Sequence, residues 1–221
     1  MTTPAHPSAE QVLASIEQAG GEIQDSRTLS PVQMLPLNEQ ASRILQSSSD
    51  AQDKDDLQVE EAAHKAAAAW QIGLQGILLS LQSKEMINFR SIDAQPLFLT
   101  LDGRQTIRLG SPEYRLWSAL PETGEGRSQP DLESMLGKDT FKLAQSRAFR
   151  NKIVRRLPDG TFARTESTLD QQLGDETRSE LVELAKTGKL QGEGADKKIA
   201  ELKKRKMVGQ RKLLYLSLIH I

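Results

Sequence analysis

A stretch of basic residues between positions 137 and 164 carries the most distinctive chemistry in this sequence. It contains eight lysine and arginine residues and two acidic residues, with phenylalanines among the cations and with Lys138 and Arg164 near its ends. Cations at this density can neutralise phosphates and release their counterions, which supplies much of the affinity for nucleic acids. A solvated helix face with its aromatic residues in the core is the alternative. The candidate phosphate contacts are Lys142, Arg147, Arg150, Lys152, Arg155 and Arg156.

A second basic segment, residues 197–212, holds eight bases and one acid. The first sixty residues have the opposite bias, with ten acids and three bases, although the net charge of the chain is only −1. This separation of acidic from basic segments suggests where the chain binds a partner, whereas the net charge of the whole chain does not. Four consecutive residues of the second segment form a secondary basic cluster: Lys203, Lys204, Arg205 and Lys206. Such a run is typical of nucleic-acid binding or nuclear localisation, but it is also typical of an exposed helix surface.

Motifs typical of an active site are not found in this sequence. Gly137-Lys138 is followed by Asp139 where a phosphate-binding loop needs serine or threonine. The three histidines are far apart and lack metal-ligand spacing. With no cysteine there is no disulfide framework and no thiolate ligand. We therefore predict no catalytic residue and no metal site in this chain.

The length of 221 residues allows one large domain or two small ones. The longest apolar stretches, such as residues 76–81, are far shorter than the roughly 20 residues that a membrane-spanning helix needs. The first eleven residues are polar and contain no signal-peptide core. These features predict a soluble intracellular protein that does not contact a membrane.

Helical and strand patterns follow one another in the first 120 residues. A short helix is predicted over residues 8–19, and a polar, acidic insertion at about 24–56 is interpreted mainly as a solvated loop. Residues 57–83 carry the strongest helical periodicity. Two strands within residues 86–101 then predict a hairpin, and one helix is expected over residues 102–120. Helices followed by a hairpin are the order of a winged-helix unit.

The rest of the chain predicts a second small unit and two further helices. A short helix at residues 131–136 precedes a hairpin turn at Asp159-Gly160, and later helices are predicted over 176–186 and 196–207. The predicted fold class is α+β, mostly helical, with tandem small winged-helix-like domains. The predicted divisions are a winged-helix-like domain at 1–119, a linker at 120–130, a second, basic winged-helix-like unit at 131–164, a helical segment with a basic helix at 165–212, and a tail at 213–221.

Four segments in sequence order are similar to the N-terminal region of the α subunit of phenylalanine-tRNA ligase, of the eukaryotic cytosolic type. They are LTLDG with GSPEYR, GK leading to QSRAFRNKI, DET, and ELKKRKM, all within residues 76–212. Ile153 departs from the pattern, because the family usually has tryptophan there. Residues 1–69 match weakly.

The resemblance implies small winged-helix-like modules that contribute to tRNA binding. In that family a class II catalytic core, which binds phenylalanine and ATP, follows this region, and we find no class II motif in this sequence. The chain is therefore expected to be an N-terminal fragment that binds no cofactor and does not aminoacylate alone. The resemblance further implies that the full-length enzyme uses ATP and Mg²⁺, works in the cytoplasm, and assembles with the β subunit as α2β2.

Two alternatives to tRNA binding follow from the same patterns. One is a winged-helix DNA-binding transcription regulator, whose helix before the hairpin would enter the major groove. The other is a module for protein assembly that binds no nucleic acid. At the end of the sequence, residues 213–221 contain seven apolar residues out of nine. We interpret this segment as a truncated end or an artefact.

Overall fold

The computed structural model describes residues 5–31, 36–165 and 174–220. It confirms an α+β fold that is mostly helical. The elements of the first half are α1 (Ala9–Gln18), β1 (Glu22–Ile23), a 3-10 turn (Ser26–Leu29), α2 (Leu37–Gln46), α3 (Asp50–Gln82), β2 (Ile87–Ala94), β3 (Leu97–Leu99), α4 (Leu101–Leu109) and α5 (Pro112–Ala119). Those of the second half are α6 (Gln129–Leu136), α7 (Lys138–Arg150), β4 (Val154–Arg156), β5 (Phe162–Arg164), α8 (Glu176–Thr187), α9 (Ala195–Lys204), β6 (Val208–Gln210) and β7 (Leu213–His220).

Helix α3 begins at Asp50, earlier than the apolar periodicity predicts. Ser49 caps it with a side chain that accepts a hydrogen bond from the backbone, and Asp50 and Asp53 lie in its first turn. Acidic side chains are favourable there because the helix N-terminus carries partial positive charge. The prediction of a solvated acidic insertion at 24–56 is therefore wrong for this part, which starts a helix. Residues 32–35 of that stretch lie outside the described residues.

Strand β7 is the centre of a three-stranded antiparallel sheet, with β1 on one side and β2 on the other. Strands β2 and β7 pair along eight residues each, with Phe89 opposite Leu218. Leu216 and Leu218 are fully buried in the core beneath this sheet. Residues 213–220 thus form the central strand of this sheet. The interpretation of 213–221 as a truncated end or an artefact stays a prediction.

The hairpin predicted within residues 86–101 is wrong. Strand β2 pairs with β7, whereas β3 pairs with β6, so that Leu97 lies opposite Gln210. The polar turn between β2 and β3 carries the chain from one sheet to another. A turn signal is local, but the partners of both strands lie far downstream, where the sequence pattern gives no pairing information.

The single helix predicted over residues 102–120 is two helices. Gly110, at φ 90°, ends α4. Ser111 then caps α5 by accepting a hydrogen bond from the backbone N–H of Tyr114, and Pro112 occupies the first turn. Proline is favoured in the first turn of a helix because backbone N–H groups there make no intrahelical hydrogen bond, so its missing N–H costs none.

Local signals in the second half gave correct predictions. Strands β4 and β5 form an antiparallel hairpin around Asp159-Gly160, where Gly160 has a φ of 85°. Helix α8 ends at Gly188, which adopts the left-handed conformation that glycine tolerates best. Helix α9 matches the predicted basic helix, although it is shorter.

Among the described residues, buried apolar side chains form three clusters. One surrounds Trp70 and Leu74 beneath the three-stranded sheet. A second combines α2, α4, α8 and α9 with β3 and β6. The third joins α5, α6 and α7 to the β4–β5 hairpin, where the rings of Phe141 and Phe162 meet edge to face at 5.5 Å. Helix α5 thus shares a core with the elements that follow it, not with the predicted domain at 1–119. The tandem winged-helix-like organisation stays a prediction.

A buried ion pair joins α3 to α4. Arg104, only 1% exposed, donates a hydrogen bond of 2.7 Å to Glu60, which is also buried. Arg211 lies 3.8 Å from the second carboxylate oxygen of Glu60 and stacks at 4.1 Å over the ring of Phe98. The pair therefore also anchors the segment between β6 and β7.

We expect Glu60→Ala to lower the free energy of unfolding by about 3–5 kcal/mol, because it leaves the Arg104 guanidinium buried without its counter-charge. Urea denaturation followed by circular dichroism measures the change. Glu61→Ala is the control, since Glu61 pairs with Lys65 in solvent. Equal urea midpoints for the two variants would show that the buried pair is not needed for stability.

We expect Leu216→Ala to cost about 2–5 kcal/mol of stability, because it opens a cavity under the centre of the sheet. Thermal and urea unfolding check this, with the exposed Ile72→Ala as control. Wild-type stability in Leu216→Ala would contradict the placement of β7 in the core.

Candidate nucleic-acid interface

Helix α7 carries Lys142, Arg147 and Arg150 of the first predicted basic cluster and presents two different faces. Phe141, Ala144 and Ala148 are buried in the third core cluster. Lys142 and Arg150, spaced eight residues apart, lie on the exposed side. Residues four apart on a helix share a face, so two turns of α7 hold these cations on one side.

Helix α9 carries the second basic cluster beside α7. Leu202 is its buried residue and packs into the second core cluster. Lys204 and Lys206 are exposed around its C-terminal end, where positive charge is favourable because of the helix dipole.

A groove of about 640 Å³ lies between these two helices, and we call it the α7–α9 groove. It brings together cations from both predicted basic clusters, which are more than forty residues apart in sequence. Its lining consists of Pro112, Lys142, Leu143, Ser146, Arg147, Arg150, Ala200, Glu201, Lys204, Arg205 and Met207.

Two of the groove arginines are held by carboxylates. Glu113 on α5, 8% exposed at its side chain, lies 3.4 Å from Arg147 and 2.8 Å from Arg205. Arg147 also pairs with Glu201 on α9, and Arg205 donates a hydrogen bond of 3.1 Å to Thr177. Two arginines and two glutamates cancel in formal charge, so this network contributes structure to the groove and little net charge.

Three exposed cations give the groove its positive charge, and we call Lys142, Arg150 and Lys204 the groove cations. Within residues 5–31, 36–165 and 174–220, none of the three forms an ion pair. Flexible, solvated cations of this kind are available to phosphates, whereas Arg147 and Arg205 already have anionic partners.

The remaining members of the first cluster lie outside the groove lining. Lys152 is exposed in the turn after α7, at φ 55°. Arg155 and Arg156 belong to β4, and Arg156 donates a 3.3 Å hydrogen bond to the carbonyl of Gly160. Arg164 is buried, donates to the carbonyl of Trp117 and stacks on its ring at 4.1 Å. Its burial keeps it from contacting a phosphate, and it was not among the candidate contacts.

In the second cluster, Lys203 and Lys206 also lie outside the lining. The Lys203 ammonium donates to Gln210 at 2.7 Å. Sequence reasoning thus found five of the groove's cationic residues but missed its uncharged lining, such as Leu143 and Ser146. A pattern of basic residues in the sequence identifies only the cations of a surface. Leu143 and Ser146 could therefore not be predicted from it.

The described part of the chain also bears on metal binding and on membrane insertion. No group of three or more histidine, cysteine, aspartate or glutamate side chains there is arranged to hold a metal ion. None of the helices there is both long and apolar enough to cross a bilayer.

A groove lined by exposed cations can accept phosphates, and the segment that contains α7 matches a known family. Residues 111–166 match the family described as PheRS DNA binding domain 3. That match begins at the cap of α5, consistent with the core that α5 shares with α6 and α7.

The chain is also similar to phenylalanine–tRNA ligase alpha subunits. It is 31% identical over 163 residues to that of Saccharomyces cerevisiae, which covers 71% of this chain and 32% of the relative. It is 29% identical over 144 residues to that of Schizosaccharomyces pombe, which covers 65% and 27%. The matched region spans about a third of these relatives or less. The resemblance found in the sequence is confirmed, and the chain is a relative of phenylalanine-tRNA ligase alpha subunits.

The ion pair between Arg147 and Glu201 predicts a specific pH dependence. The hydrogen bond from Arg147 lowers the pKa of Glu201 from its ordinary value of 4.5. A carboxyl whose pKa is lowered by folding stabilises the fold above pH 4.5 and loses that contribution as the pH falls through the folded value. We therefore expect Glu201→Gln to be less stable than wild type at neutral pH and to lose less stability in acid.

Urea midpoints measured across an acid series test this, with Glu125→Gln, an exposed carboxyl outside the network, as control. If the urea midpoints of wild type and Glu201→Gln change equally with pH, the ion pair of Arg147 and Glu201 does not stabilise the fold.

Proposed function

We propose that this chain is the tRNA-binding part of a phenylalanine-tRNA ligase alpha subunit and that the α7–α9 groove contacts the sugar-phosphate chain of the tRNA. The observation that carries the proposal is the convergence of Lys142, Arg150 and Lys204, exposed and without ion pairs in the described residues, on one groove. The similarity to alpha subunits supports the choice of tRNA among nucleic acids.

The groove cations position the RNA and do not read its sequence. Lysine ammonium groups bind phosphate as mobile point charges, and contacts of this kind fix register without distinguishing bases. Arg147 and Arg205 hold α7 and α9 at the spacing that creates the groove, so the proposal gives them a positioning role. Lys152, Arg155 and Arg156 on the turn and hairpin form a second, weaker phosphate-contacting surface, with Lys203 and Lys206 beside the groove.

Several finer properties belong to the same proposal. The units act as tandem winged-helix-like domains along the predicted divisions, in the cytoplasm. The full-length enzyme attaches phenylalanine to tRNA with ATP and Mg²⁺ and assembles with its β subunit as α2β2. The region described in this structure supplies tRNA contacts and does not aminoacylate by itself. The family resemblance supports these statements.

We expect the triple variant Lys142→Glu, Arg150→Glu and Lys204→Glu to weaken tRNA binding strongly. The slope of log affinity against log salt should fall by about three, one for each lost phosphate contact. Fluorescence anisotropy with labelled tRNA over a salt series measures both. A matched triple variant reverses three exposed lysines that lie outside the groove, Lys54, Lys84 and Lys189, and should keep the wild-type slope.

Equal slopes for the two triple variants would show that the groove does not contact phosphate. We expect both variants to fold because all the altered side chains are exposed, and circular dichroism checks this.

Duplex DNA is the second candidate ligand, favoured by the description of the family that matches residues 111–166. The original DNA alternative depended on a hairpin after α3, and that hairpin does not form. Leu74, Leu78 and Leu81 of α3 are buried in a core cluster. Competition between labelled tRNA and unlabelled duplex DNA distinguishes the two ligands. Displacement of the tRNA by duplex DNA at an equal concentration of phosphate would favour the DNA alternative.

A further inference from the structure

We infer that the α7–α9 groove takes an unpaired nucleotide of its RNA, with the base against Leu143 and the flanking phosphates on the groove cations. This inference rests on the proposed function and names the kind of RNA segment that the groove binds. Phosphate binding does not explain the apolar surface that lies between the groove cations.

Leu143 is 70% exposed, more than the other large apolar side chains on the described surface. A single exposed leucine needs no explanation on most surfaces. Leu143, however, lines a concave groove together with Pro112, Ala200 and Met207, and its neighbour Lys142 is a groove cation. Six of the eleven lining residues are charged and four are apolar, so the groove offers charge and an apolar surface side by side. Its volume of 640 Å³ lies within the range of about 300–1,000 Å³ of ligand sites.

The shape of the ligand follows from this combination. A duplex hides the faces of its bases in the stack and presents phosphate and sugar outside, so it would leave Leu143 in water. An unpaired nucleotide exposes a flat, largely apolar base face and a phosphate within one small unit, and proteins place such bases against apolar or aromatic side chains. The groove offers both kinds of contact at once.

The polar neighbours are compatible with this ligand. Ser146 lies one helical turn from both Lys142 and Arg150 and can donate or accept a hydrogen bond at a base edge or sugar hydroxyl. Glu201 is the acidic residue of the lining, and its carboxylate is already paired with Arg147. Its charge therefore opposes a bound phosphate less than that of an unpaired glutamate.

Two RNA probes of equal phosphate number test the inference with the intact chain: a single-stranded oligouridine and a blunt RNA duplex. We expect Leu143→Ala to weaken oligouridine binding by about tenfold, from the lost apolar contact, and to leave its salt slope unchanged because no charge is removed. Duplex binding should not change. Leu143→Trp should strengthen oligouridine binding by about tenfold through stacking.

Ile72→Ala is the matched control, because Ile72 is a comparably exposed apolar side chain on α3, outside the groove lining. Oligouridine affinity that is the same in Leu143→Ala and wild type, or an equal loss for both probes, would overturn the inference. If the charge-reversal variant still lowers the salt slope in that case, phosphate binding in the groove survives and only the unpaired base is refuted.

Competition with polyglutamate tests whether the groove binds an acidic protein segment instead of RNA. Displacement of oligouridine by polyglutamate at equal charge would show that the groove binds acidic chains generally, and it would also overturn the inference.

Discussion

The buried carboxylate of Glu113 is the constraint on which the groove depends. Its two oxygens face guanidinium groups from different parts of the chain, Arg147 on α7 and Arg205 after α9. A buried charge is tolerated only with partners, so the three elements must stay together for the carboxylate to remain satisfied. The pair of Glu113 and Arg205 spans 92 residues of sequence and fastens the last helix to the unit that residues 111–166 form. Together with the direct pair of Arg147 and Glu201, that connection fixes the spacing of α7 and α9.

This arrangement separates two roles that look identical in the sequence. Arg147 and Arg150 belong to the same basic stretch and the same helix, yet Arg147 is paired with glutamates while Arg150 is exposed beside it. A buried pair contributes to structure because breaking it leaves an uncompensated charge, whereas an exposed cation contributes little to stability and keeps its charge for a ligand. Composition finds both residues but cannot distinguish them, since the distinguishing carboxylates lie on other elements.

The same difference between local and distant information explains how much of the fold could be predicted. Signals that act within a few residues, such as the glycine that ends α8 and the Asp159-Gly160 turn, predicted their elements correctly. The pairing of β2 with β7 could not be found that way, because the two strands are more than one hundred residues apart in sequence and β7 had first to be recognised as a strand. The acidic start of α3 was missed for a related reason. Its charges indicate a solvated loop in isolation, but they are favourable at a capped helix start facing Arg108 of α4.

The pairing of acids with bases also decides whether a nearly neutral chain can present a cationic surface. The acid-rich first sixty residues could have covered the groove cations and cancelled them. Instead, Asp50 and Asp53 pair with Arg108, and Glu60 pairs with Arg104 and lies near Arg211. Those arginines lie on α4 and between β6 and β7, outside the lining of the α7–α9 groove. These three acids therefore hold α3 against its neighbours. Because their arginine partners lie outside the groove lining, the groove cations keep their charge, and a net charge of −1 is compatible with a local surface that attracts phosphate.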